Sequence, residues 1–132
     1  MKLQPDKSSA PLVRAYTQDW LQIDEQRFTQ SVIVSSLEQQ APRTWAPRQM
    51  QELQDEHLAE LLACGAELVI LGTGSRLRLA SPLWRTRFAQ ARVGLESMDT
   101  AAACRTYNIL ASEGRKVVAA LLIESDSTNS VR

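Results

Sequence analysis

The chain has 132 residues, 44% hydrophobic and 23% charged, a mix that excludes wholesale disorder and fits one compact domain. Fifteen Lys and Arg balance fifteen Asp and Glu, which removes the long-range field that draws proteins onto nucleic acid or anionic membranes. The cysteines, Cys64 and Cys104, have no Cys-x-x-Cys spacing and no nearby histidine, arguing against a zinc site or redox motif and for a reducing, cytoplasmic setting.

Residues 1–11 and 125–132 lack apolar periodicity and are expected as disordered tails around a single α/β domain spanning 12–124. The N-terminus has no apolar signal core, and no run approaches the about 20 apolar residues of a spanning helix, so no membrane insertion is expected. From Leu12 to Ser36 the pattern is β-like. Val13, Ala15 and Tyr16 form one run, Trp20, Leu21 and Ile23 another, and Phe28 with Val32, Ile33 and Val34 a third. Polar separators between them predict a meander of about three antiparallel strands.

The segment 41–47 contains Pro42 and Pro47 and predicts a linker anchored by Trp45. Pro47 is placed to be a first helical residue. Met50, Leu53, His57, Leu61 and Cys64 then share one arc at about 100° per residue, and Gly65 closes the helix. The run Leu68 to Leu71 does not alternate, as expected of a strand covered on both faces, and it breaks into Gly72-Thr73-Gly74-Ser75-Arg76. Arg76-Leu77-Arg78-Leu79 fits either a short strand or an extended loop. Ser81-Pro82 predicts the cap and first turn of a helix that carries Leu83, Trp84 and Phe88 and ends before Gly94. Residues 94–98 are short and extended. Asp99 is the candidate cap of a helix with small residues Ala101 to Cys104, ending at Glu113-Gly114, and Val117 to Ile123 is a final apolar strand. Strands alternating with helices over 47–123 imply a parallel or mixed sheet covered by helices, with the N-terminal meander as a separate β layer or an addition to the sheet edge.

The glycine turn is the best place for a site, because a buried strand ending in glycines is where α/β folds open a crevice. A dinucleotide fingerprint needs a third glycine where Leu77 stands, and no Gly-Lys-Ser or Gly-Lys-Thr follows. What remains is a turn with free backbone N–H groups, suited to an anion, or a purely conformational turn. His57, the one histidine, stands among apolar positions and reads as a boundary residue bonded to nearby backbone rather than a base. Glu96 and Asp99 could bring two carboxylates to the crevice mouth, although Asp99 also suits an ordinary helix cap. No serine sits in a Gly-x-Ser-x-Gly elbow. Cys104 would be a nucleophile if exposed, but its Ala-rich neighbours point to burial. Thr106 and Asn108 are placed to bond a ligand or the Gly72 loop itself. Trp20, Trp45 and Trp84 mark core or a partner surface. Arg76, Arg78, Arg85, Arg87 and Arg92 read as a solvated face, with nucleic acid as a weaker alternative. No catalytic set is complete, and neither metal nor cofactor is expected.

Taken together, Leu71-Gly72-Thr73-Gly74-x-Arg76, Gly94 to Thr100, Ala103 to Asn108 and Glu113-Gly114-Arg115 resemble one family. It is the small domain shared by mitochondrial complex I assembly factor three, the adipogenesis-associated domain protein and many uncharacterised bacterial and archaeal proteins. The likeness runs from about Val13 to Ile123, with Gly72, Thr73, Gly74, Asp99, Thr106 and Asn108 on the recurring pattern. It implies a single three-layer α/β domain with a mixed central sheet and an additional N-terminal antiparallel β layer. It implies no established enzymatic activity.

Two functional readings follow. The first is a non-catalytic, assembly-factor-like domain that binds a partner protein, itself a monomer or weak homodimer. The second is a small-molecule or anion binder, or an enzyme, using Gly72, Thr73, Gly74 and Arg76 with Asp99, Thr106 and Asn108.

Overall fold

The computed structural model describes residues 9–38 and 40–125; most of both expected tails lies outside these residues. Two sheets form. Strands β1 (Val13–Tyr16), β2 (Leu21–Ile23) and β3 (Gln26–Phe28) make a three-stranded antiparallel meander. A five-stranded mixed sheet contains β4 (Val32–Ser35), β5 (Arg43–Thr44), β6 (Leu68–Gly72), β7 (Gly94–Met98) and β8 (Val117–Leu121), in the order β5-β4-β8-β6-β7. Strands β6, β7 and β8 are parallel, whereas β4 runs antiparallel to β8 and to β5.

The meander has the three strands expected, but the third run of the sequence pattern splits, Phe28 closing the meander as the end of β3. The run at 32–35 leaves it and enters the central sheet, because Val32, Ile33 and Val34 are apolar on both faces and all three are buried there. The linker around Trp45 supplies the two-residue edge strand β5, where the flanking prolines cost no ladder bond, and Trp45 is buried. The helix expected from Pro47 does not begin there. Residues Met50–Glu52 form a single 3-10 turn, Leu53 is extended with ψ of 133°, and helix α1 covers only Asp55–Leu62. His57 Nδ1 accepts from the Gln54 backbone N–H at 2.9 Å, which starts the helix at that point.

Helices α2 (Pro82–Ala91) and α3 (Thr100–Ser112) begin where the sequence places them, with Ser81 and Asp99 accepting from the backbone N–H groups of Trp84 and Ala102. The strand alternation sorts the core into two halves. Val69 and Leu71 of β6 pack with Leu58, Leu61, Trp84 and Phe88 of α1 and α2. Ile70 packs with Ala103 and Tyr107 of α3 and with Val13, Leu21 and Phe28 of the meander. The result is three layers, with α1 and α2 on one face of the sheet and α3 with the small β sheet on the other.

That arrangement creates a switch point. The chain leaving β6 goes to α2 on one face, and the chain leaving the adjacent β7 goes to α3 on the other, so the carboxyl ends of these strands part into a crevice.

Candidate functional site

Gly72 ends β6 in register with Met98 and Leu121, the last residues of its two parallel neighbours. A Cβ there would stand 3.1 Å from Ala103 Cβ, Leu121 Cδ2 and Thr100 Oγ1, so glycine is what lets α3 approach the strand. The next residue, Thr73, is fully buried and folds the loop back on itself. Its N–H donates to Met98 O at 2.8 Å, its hydroxyl donates to Arg76 O at 2.6 Å, and the Arg78 N–H donates to that hydroxyl at 3.1 Å.

Gly74 takes φ of +105°, a conformation costly for any residue with a side chain. Its N–H donates to Thr100 Oγ1 at 2.9 Å, its carbonyl accepts from the Thr100 N–H at 2.9 Å, and the Thr100 hydroxyl donates to Leu122 O at 2.9 Å. Thr100 thereby ties the ends of β6 and β8 to the start of α3. The first free N–H groups of α3 are also taken, Thr100 by Gly74 O and Ala102 by Asp99 Oδ1. An anion would find few donors left at this helix end.

The glycine turn expected from sequence has formed, and its Ser75 donors are taken by the chain itself. Glu124 Oε1 accepts from the Ser75 N–H at 3.0 Å and from the Ser75 hydroxyl at 3.2 Å, while Arg78 Nη1 donates to Glu124 Oε2 at 2.9 Å. Arg78 and Glu124 are partly buried, which strengthens the pair relative to one in open solvent. A pocket of about 220 Å³ lies over this latch, lined by Gly74, Ser75, Thr100 and Glu124, with Thr17 and Gln18 reaching over from the meander.

Of the residues marked in the sequence, Gly72, Thr73, Gly74 and Asp99 come together at the crevice, whereas Arg76 points its charge to exposed surface and contributes its carbonyl to the loop. Thr106 is half-buried further along α3. Asn108 is elsewhere in function as well as place: Val13 N–H donates to Asn108 Oδ1 at 2.9 Å, and Asn108 Nδ2 donates to Val13 O at 2.8 Å. The side chain replaces a missing strand partner and fastens β1 to α3. Tyr107 assists by donating its hydroxyl to Pro11 O at 2.8 Å.

Other candidates resolve into structure. His57 bonds the Gln54 backbone and meets Trp45 edge-on, ring centres 5.5 Å apart. Cys104 is fully buried, and burial pushes its thiol pKa up to about 12, so it carries almost no thiolate near neutrality. Among the described residues no cluster of His, Cys, Asp and Glu could hold a metal ion, and no helix is long and apolar enough to cross a membrane.

Sequence reasoning missed Thr100 and Glu124, the two side chains that organise the crevice. Thr100 was legible in part, since a hydroxyl directly after a helix cap faces the preceding loop. Glu124, three residues past β8, becomes a partner of the turn only through the parallel register of β8 with β6.

A second feature lies on the other side of the crevice. Arg78, Leu79, Ala80, Ser81 and Trp84 face Met50, Gln51 and Leu53 across a groove of about 380 Å³. Leu77, Leu79 and Leu83 are 56, 66 and 51% exposed.

Comparison with known proteins agrees with this architecture. Residues 13–122 match the family described as Protein of unknown function (DUF498/DUF598). Over 70 residues the chain is 37% identical to NADH dehydrogenase [ubiquinone] 1 alpha subcomplex assembly factor 3 of Xenopus tropicalis, a match covering 53% of this chain and only 38% of that protein. A crystal structure from Bordetella parapertussis superposes with TM-score 0.78 and 32% identity over 86% of this chain and 95% of that one. A Bordetella pertussis protein described as an Mth938-like domain gives TM-score 0.77 and 28% identity over 96% and 94%. The chain therefore belongs to the DUF498/DUF598 family.

Proposed function

We propose that this DUF498/DUF598 member is a non-catalytic domain that binds another protein in the manner of an assembly factor. The observation that carries this reading is Glu124: the donors that would make the crevice turn a ligand site are held by the chain's own carboxylate. The Ser75 hydroxyl and the Glu124 carboxylate meet there at 3.2 Å, but that carboxylate is paired with Arg78 at 2.9 Å and also holds the Ser75 N–H, and the one thiol nearby is buried and protonated. The assembly-factor name borne by the frog relative supports the same direction. With both cysteines free, the setting we propose is a reducing one such as the cytoplasm. Affinity purification of the tagged full chain from cells that make it should return one protein partner at near-stoichiometric amount. Repeated recovery of the chain alone would overturn the proposal.

One observation favours a second reading. The pocket over Gly74, Ser75 and Glu124 is of a size for a small anion, which would enter by displacing the Glu124 carboxylate and taking its donors. Glu124→Gln then weakens the competitor, and thermal-shift measurements with phosphate, acetate and succinate should show stabilisation of the variant above that of the parent. Equal, absent responses in both would remove this reading.

A further inference from the structure

The charge balance of the chain conceals a strong local asymmetry. Between Glu67 and Glu96 there is no carboxylate, yet five arginines stand there. Arg78 is paired with Glu124; Arg76, Arg85 and Arg87 are exposed and pair with no carboxylate among the described residues. The same stretch of chain displays Leu77, Leu79 and Leu83 to solvent. On α2, Leu83 and Arg87 are four residues apart and share a stripe, with Arg85 on the other flank of buried Trp84.

Exposed leucines scattered singly need no explanation, but three within seven residues beside an apolar groove mark an interaction surface. Its chemistry narrows the occupant. Arg76, Arg85 and Arg87, exposed on the segment that forms one wall and without a carboxylate partner among the described residues, call for carboxylates or phosphates. The apolar part is concave, with Leu79 at its lip and Trp84, Met50 and Leu53 inside, and a side chain fills such a hollow where a bilayer surface or a nucleic-acid backbone does not. Met, Trp and Arg are also the residues that supply adaptable packing and anchor contacts at protein interfaces.

Building on the protein-binding reading above, we infer that the groove between the Met50–Glu52 turn and α2, together with the exposed arginines of the segment that forms its second wall, docks an acidic amphipathic segment of another protein. That segment places a large apolar side chain in the groove and Asp or Glu beside it against Arg76, Arg85 and Arg87. The anchor sets the lifetime of the complex, and the charges set its orientation and rate of formation.

Site-specific photo-crosslinking in cells that make the protein tests this. A photoreactive residue is placed in the full chain at Leu79 or, as a reference, at Ile109, which is 58% exposed on α3. The Leu79 probe should give one dominant protein adduct whose mapped segment carries net negative charge and large apolar residues. Yield should fall at least five-fold when Arg85→Glu and Arg87→Glu are combined, with the melting temperature unchanged. A lipid, nucleic-acid or basic-peptide adduct, a second copy of this chain, or no adduct at Leu79 overturns the inference. An adduct with a protein from Ile109 alone does so while leaving the protein-binding reading intact; silence at both positions, with no co-purified partner, removes both.

Discussion

The turn at residues 72–75 and the segment 76–87 are consecutive in the chain and opposite in chemistry. In the turn, backbone groups both buried and exposed are matched to Thr73, Thr100 and Glu124, so the part most like a binding motif has its hydrogen bonds satisfied from within. In the following segment Leu77, Leu79 and Leu83 face solvent, and Arg76, Arg85 and Arg87, unlike Arg78, pair with no carboxylate among the described residues. A motif shows where a chain can bind; unsatisfied groups show where it still has something to bind with.

Substitutions divide along the same line. The largest effect is expected for Gly74→Ala, which forces a side chain into φ of +105° and into collision with the Glu124 carboxylate. It should destabilise by about 2–3 kcal/mol in denaturant melts. In a Glu124→Ala background the same change should cost only about 1 kcal/mol, the backbone strain alone. Full additivity would break the account of an internally occupied turn.

Thr100→Val keeps the shape and removes the hydroxyl between Gly74 N–H and Leu122 O, with an expected loss of about 2 kcal/mol from two poorly solvated backbone groups. Amide exchange should accelerate at Gly74 ahead of the sheet interior. Glu124→Gln retains an acceptor for Ser75 but loses its charge opposite Arg78, worth about 1 kcal/mol. Leu79→Ser combined with Leu83→Ser should leave stability within about 0.5 kcal/mol of the parent, because both side chains are already in water. Yet that pair should abolish partner recovery. A stability loss above about 1 kcal/mol would mean the leucines serve the fold, and the contrast between the two regions would collapse.

Most of the secondary structure could be read in advance, and the misreadings have identifiable causes. Ser81-Pro82 and Asp99 define their helices because cap chemistry is local to a few residues. The helix expected from Pro47 starts at Asp55 because His57 meets the Gln54 backbone and Leu53 stays extended, an arrangement that preserves the apolar arc the sequence shows. Asn108 carried a correct signal with the wrong destination. Its amide was needed for a backbone partner, but α3 presents it to β1 rather than to the Gly72 turn. The unpaired arginine-leucine surface was legible only as an arginine cluster, since exposure of Leu77 and Leu79 depends on 76–80 being loop rather than strand.

The sequence by itself determined the buried strand ending at Gly72, the caps of α2 and α3 and the absence of a known phosphate-binding fingerprint, because each depends on residues adjacent in the chain. Tertiary structure alone decided which groups the glycine turn meets. Parallel register carries Glu124, forty-nine residues beyond Ser75, to the turn's donors, and α3 brings Thr100 to the other side. Strand pairing decides those meetings, and no spacing in the chain announces them.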